Sequence, residues 1–117
     1  MKRALALLAA SVVCAGAGAA EFKRLSSVHI QRLLAQRVIT DDAHGSDRSD
    51  PDGELQSIEL GQANTGKWRV AGNELCTVRS AQKPVEECFE VWTRDDDIEL
   101  RRDGVAEIAA LLRPRNR

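Results

Sequence analysis

The sequence predicts a mainly antiparallel β domain with one N-terminal helix and one disulfide. Three observations lead there. Between residues 54 and 112, short apolar runs are separated by turn signals, the pattern of hairpin-connected strands. Between 27 and 37 the apolar residues recur instead at helical spacing. The hairpin registers set by the turns then place Cys76 opposite Cys88, within disulfide reach.

Residues 1–19 have the layout of a secretion signal. Met1-Lys2-Arg3 is a basic start, 4–15 is apolar and uncharged, and Ala17-Gly18-Ala19 supplies the small residues before a cut. The apolar stretch falls short of the roughly 20 residues that span a bilayer, so cleavage is expected, after Ala19 or after Ala20. A lipoprotein signal centred on Cys14 is the alternative, but Val13 stands where such signals carry a small residue. Export leads to an oxidising compartment, the periplasm, where Cys76 and Cys88 can pair. The expected organisation is a signal peptide over 1–19, a single β-rich domain over 20–112 and a solvated, frayed basic tail over 113–117. No transmembrane segment is expected in the mature chain.

In the helix, Ile30, Leu33, Leu34 and Val38 form one stripe, and Ser26 or Ser27 can cap its start. It is short, so it needs something to pack against. Residues 41–53 are polar and turn-rich and read as a loop closed by Pro51-Asp52-Gly53. Strand runs follow at 54–60, 66–71, 74–79, 86–93, 98–101 and 105–112, with turns near 63–65, 72–73, 82–84, 95–96 and 103–104. The last run is rich in Ala, Glu and Leu and also suits a helix; strand is the preferred reading.

The turns can be checked against one another. One at Gly72-Asn73 pairs Val70 with Leu75 and Trp68 with Thr77. One at Gln82 pairs Cys76 with Cys88 and Leu75 with Phe89. One at Asp95-Asp96 sets Val91 beside Leu100. Alternation then puts Trp68, Val70, Leu75, Phe89, Val91 and Leu100 on one apolar face and the cysteines on the other. The expected fold is therefore a curved antiparallel sheet of five to six short strands, with the helix packed over that face or over one end. A disulfide closing a loop of about 13 residues contributes on the order of 3 kcal/mol to such a thin core.

The full 117-residue chain carries 17 basic and 18 acidic side chains; without Lys2 and Arg3 the balance is 15 against 18. That balance excludes a general affinity for nucleic acid. No serine lies in a Gly-x-Ser-x-Gly elbow, the cysteines are not Cys-x-x-Cys, and no glycine loop suits a phosphate. A non-enzymatic protein without a cofactor is expected.

Two places remain as candidate sites. Asp50, Asp52, Gly53 and Glu59 match part of a calcium loop, and His44 lies nearby, but Arg48 holds the first ligand position and Pro51 stiffens the turn. Trp92 faces the disulfide side of the sheet. It either covers the disulfide or packs under a terminal segment, or serves as an exposed aromatic anchor for a partner.

The segment Gly66-Lys67-Trp68-Arg69-Val70-Ala71-Gly72-Asn73-Glu74-Leu75-Cys76, followed by Glu87-Cys88-Phe89-Glu90-Val91-Trp92, resembles a group of small secreted bacterial proteins. They share Gly-x-Trp, Leu-Cys and Cys-x-x-Val-Trp or Tyr after an N-terminal helix and an Asp-Gly turn, here Asp52-Gly53. Many carry His-Trp where this chain has His44-Gly45. The resemblance implies a fold and a compartment and carries no activity. The functional expectation is a binding or interaction module of the cell envelope, with an envelope protein or a small ligand as partner. The alternatives are a calcium-binding protein using the acidic 41–59 loop, or an inhibitor of an envelope hydrolase.

Overall fold

The computed structural model describes residues 21–41 and 44–115, so the proposed signal peptide and the last two tail residues lie outside the described part. The elements in order are β1 (Lys23–Arg24), α1 (Ser27–Gln36), β2 (Arg37–Asp41), β3 (Gly45–Ser49), β4 (Glu54–Glu59), β5 (Gln62–Ala71), β6 (Glu74–Ser80), β7 (Lys83–Arg94), β8 (Asp97–Arg102) and β9 (Val105–Pro114). From β2 to β9 each strand pairs antiparallel with the next, and β9 returns to pair with β2, Ile39 lying opposite Leu112. The sheet is thereby a closed eight-stranded up-and-down barrel, which leaves no edge among those strands.

An open curved sheet of five to six strands with a helix laid on it is therefore corrected. Two strands account for the difference in number. The polar segment read as loop contains β3, whose inward residues Asp47 and Ser49 are hydrophilic, so no apolar alternation marks it. Val38, assigned to the helical stripe, belongs to β2, which starts directly after α1. In addition, β5 begins at Gln62 after a turn at Leu60-Gly61, so the expected turn at 63–65 is strand. The preferred strand reading of 105–112 holds, and β9 continues to Pro114.

The local registers agree with expectation. Val70 faces Leu75, Trp68 faces Thr77, Leu75 faces Phe89 and Val91 faces Leu100. Cys76 and Cys88 are directly opposed, with Cα atoms 3.9 Å apart, and form the disulfide on the outer wall. The predicted apolar face is the inside of the barrel: Leu75, Phe89, Val91 and Leu100 are buried in one cluster with Ile39, Ile98 and Leu112, and Trp68 and Val70 pack against it.

Once a sheet closes, its apolar face is no longer a surface on which a helix can lie. α1 crosses one end of the barrel instead, and Ile30 and Leu34 enter the core cluster as a stopper. Both helix ends are tied to that rim. Asn73, in the β5–β6 turn, accepts the Ser27 backbone N–H through Oδ1 at 2.9 Å. Ser26 stands at the N-cap but shares its hydroxyl hydrogen bond with His29 Nδ1. At the other end Arg115 donates its backbone N–H to Gln36 O and its Nη1 to Leu34 O. β1 extends the β7 edge beyond the start of β6, with Arg24 opposite Trp92.

Candidate functional site

With α1 across one end, the barrel opens at the other. In an up-and-down barrel alternate turns lie at the same end, so the β2–β3, β4–β5, β6–β7 and β8–β9 turns together form the open rim. The inward positions change character along the axis. Near α1 they are Leu55, Leu75, Val91, Ile98 and Leu112; toward the opening the same faces of β3, β4 and β6 present Asp47, Ser57, Thr77 and Arg79. An eight-stranded barrel has room inside for little more than its own side chains or one small group. Here the stoppered half is filled, and a cavity of about 250 Å³ lies at the open half.

One wall of this cavity is apolar, formed by Ile39, Ile108 and Ala110 of β2 and β9. The other is a connected polar set. Arg79 grips Asp47 with both guanidinium nitrogens, at 2.9 Å (Nη2 to Oδ2) and 3.0 Å (Nη1 to Oδ1). The Ser57 hydroxyl, 1% exposed as a residue, donates to the same Asp47 oxygen at 2.8 Å and receives Arg79 Nη1 at 3.2 Å. This is how a partly buried carboxylate is made tolerable: a two-pronged cation and a hydroxyl satisfy its lone pairs. Glu59 holds a looser position, 3.5 Å from Arg79 Nη1 with its side chain 54% exposed. His44 Nδ1 lies 2.9 Å from Asp41 Oδ2 at the lip.

Gly45 permits the approach of β3 to β4 at this lip. A Cβ there would stand 1.6 Å from the Ile58 carbonyl oxygen, so no side chain fits.

The four candidate metal ligands are not brought together. Asp50 and Asp52 sit at the stoppered end in the β3–β4 turn, whereas Glu59 and His44 sit at the open end. Asp52 is used locally, its Oδ1 accepting the Glu54 N–H at 2.9 Å. Asp50 is held by Arg48 at 2.9 Å and Arg115 at 2.7 Å. The Arg48 hydrogen bond, with the charge of Arg48 and Arg115 and a bond from Gln56, holds the Asp50 carboxyl below the usual range despite its burial.

Trp92 lies on the outer wall and is covered by the chain's own groups. Its indole N–H donates to Glu90 Oε1 at 2.9 Å, and the Arg101 guanidinium lies 4.2 Å above its ring. The same Arg101 approaches Phe22 at 5.4 Å, and Arg24 of β1 lies opposite Trp92, so the indole packs beside the N-terminal segment. The indole bond also holds the Glu90 carboxyl below its ordinary value.

Asp47, Ser57 and Arg79 escaped notice in the sequence because none belongs to a motif. The signal that would have found them is the alternation itself. Continuing the inward face Leu75, Thr77 leads to Arg79, and Leu55 leads to Ser57 and Glu59.

A second concavity, about 650 Å³, lies against the outer wall beside Val78, Ala81 and Pro84. Its charged pair, Arg69 and Glu86, is bonded to itself through two guanidinium nitrogens at 2.9 and 2.7 Å, which accounts for the lowered Glu86 pKa.

Fold and site together define a small closed antiparallel barrel, stoppered by a helix at one end and open to a polar cavity at the other. Exposed outer positions such as Arg48, Lys67, Arg69 and Arg113 carry charge where a membrane barrel presents an apolar band. Among the described residues no helix is long and apolar enough to cross a membrane. Comparison with protein-family models, characterised proteins and solved structures finds no match for this chain.

Proposed function

We propose that this protein is an exported, non-enzymatic binding module of the cell envelope that docks a protein partner on the open end of its barrel. The observation that carries this reading is the distribution of exposed apolar residues. Of the five large apolar side chains exposed among the described residues, Ile58, Leu60, Val85 and Val105 all stand at or near the turns of the open end. Singly exposed apolar residues need no explanation, but a ring of them around one opening is the layout of a docking surface. Leu60 is 78% exposed at the β4–β5 turn with φ +48°, a left-handed conformation that is uncommon for leucine.

Export rests on the signal-like residues 1–19 and agrees with the disulfide, which persists in oxidising compartments. The cavity of about 250 Å³ lies below the roughly 300–1,000 Å³ of small-molecule pockets, which favours a side chain over a free ligand. An envelope hydrolase is one partner class that this mode of docking admits.

Photo-crosslinking in the periplasm tests the reading. A photoreactive residue at Val105 is expected to capture one discrete protein, and a second substitution, Leu60→Asp, to abolish that product with an unchanged Tm. Capture from position 92 in place of 105 would move the docking surface to the outer wall and end this proposal.

A further inference from the structure

The opening is asymmetric in charge. The residues lining its cavity include three carboxylates, Asp41, Asp47 and Glu59, against one guanidinium, Arg79, and a histidine. The geometry shows which of those charges is spent. Arg79 gives both of its terminal nitrogens to Asp47 within 3.0 Å, while Glu59 receives a single contact at 3.5 Å. Asp47 thus takes the two short contacts of Arg79, and Glu59, half exposed at the opening, keeps only the one longer contact. An incoming anion would meet that carboxylate and compete with Asp47 for Arg79. An incoming cation meets Glu59 directly and leaves the Arg79–Asp47–Ser57 set intact.

The rest of the cavity states the shape of that cation. Ile39, Ile108 and Ala110 form an apolar wall suited to a hydrocarbon stem, and the carboxylates in the same lining suit its charged tip. Outside, Ile58, Leu60, Val85 and Val105 supply apolar surface that can shield the tip from water once a partner is seated, as the surround of an interface hot spot does.

We infer that the open end is a socket for a lysine or arginine side chain, presented by a protein partner from a segment whose neighbouring residues are apolar. This rests on the docking reading above and adds the chemistry of what enters. The stem lies along Ile39 and Ile108, the cationic head reaches Glu59, and the flanking apolar residues meet the ring of Leu60, Val85 and Val105.

The probe is the pentapeptide acetyl-Ala-Leu-Lys-Leu-Ala-amide, titrated into the ¹⁵N-labelled, oxidised protein and followed by amide shifts at low and moderate salt. The same peptide with acetyllysine, which keeps the stem and removes the charge, is the comparison. The lysine peptide is expected to shift the amides of Asp47, Ser57, Glu59 and Arg79, and to bind at least about tenfold more tightly than the acetylated one. Glu59→Gln is expected to erase most of that difference while leaving the Tm and the Cys76–Cys88 disulfide unchanged. Added salt should weaken only the charged peptide.

Equal binding of the two peptides at the open end would remove the socket and leave the docking end standing as an apolar surface. Preference for acetyl-Ala-Leu-Glu-Leu-Ala-amide would reverse the sign and make Arg79 the recognising group. Absence of shifts at the open end with either lysine peptide at millimolar concentration would overturn the socket, while the crosslink from position 105 separately decides whether a partner docks there.

Discussion

Arg115 lies in the segment expected to be a frayed tail, and it joins three parts of the barrel. Its guanidinium donates to Leu34 O at 3.2 Å, to Ser49 O at 2.9 Å and to Asp50 Oδ1 at 2.7 Å, linking the helix C-terminus to the β3–β4 turn. Helix C-termini leave carbonyls without partners, and a cation there answers both the hydrogen bond and the macrodipole. Arg115→Ala should lower stability by about 2 kcal/mol in urea unfolding, and Arg115→Lys should restore less than half of it, since an ammonium lacks the fork. Nothing in residues 113–117 announces this, because the partners stand 65 to 81 positions away.

The same cluster sets a pH dependence. The Asp50 carboxyl is held below its ordinary value, first by the Arg48 hydrogen bond, so the unfolded chain takes up that proton at a higher pH than the folded chain does. Its contribution is complete above the unfolded pKa of about 4 and is lost as pH falls through the lower folded value. Glu90, held down by the Trp92 indole, acts in the same direction. Melting followed by circular dichroism should show wild type losing more Tm between pH 5 and pH 2 than Asp50→Asn does; parallel curves would mean Asp50 is not preferentially ionised in the fold.

At the scale of elements, α1 and the β6–β7 disulfide do different work. Leu34 is 2% exposed in the core cluster, and Leu34→Ala opens a cavity at the stoppered end that should cost about 2–5 kcal/mol. Cys76→Ser removes a constraint on the unfolded chain and should cost on the order of 3 kcal/mol, read as a shift in denaturation midpoint. Gly66 marks a third sensitive point. A Cβ there would stand 1.7 Å from the Val78 carbonyl oxygen, so Gly66→Ala must push β5 off β6 and should cost about 1–3 kcal/mol. Hairpins β5–β6, β6–β7 and β7–β8 were readable because each register follows from its own turn. β3 was not, since Asp47 and Ser49 turn inward as polar residues and carry no apolar alternation.

For the whole molecule the deciding contact is the β2–β9 ladder, where Arg37–Thr40 meet Leu111–Pro114. Hydrogen exchange measures it directly. Amides of the ladder should be protected to nearly the same degree as those of β6 and β7, whereas an open sheet would leave them exchanging within the dead time. Closure also defines two ends, and without it neither the stopper nor the polar opening around Arg79 exists.

The sequence alone settles what is local here: the helical stripe through Ile30 and Leu34, the six strand runs, the registers of the β5–β6, β6–β7 and β7–β8 hairpins, and the pairing of Cys76 with Cys88. Alternation says only that Leu75 and Phe89 share a side. It cannot say that this side is an interior, because that depends on pairing residues more than 70 positions apart, which no turn encodes. The tertiary structure decides closure, and closure places Asp47, Ser57, Glu59 and Arg79 around one opening, sends α1 to the opposite end and recruits Arg115 from the tail.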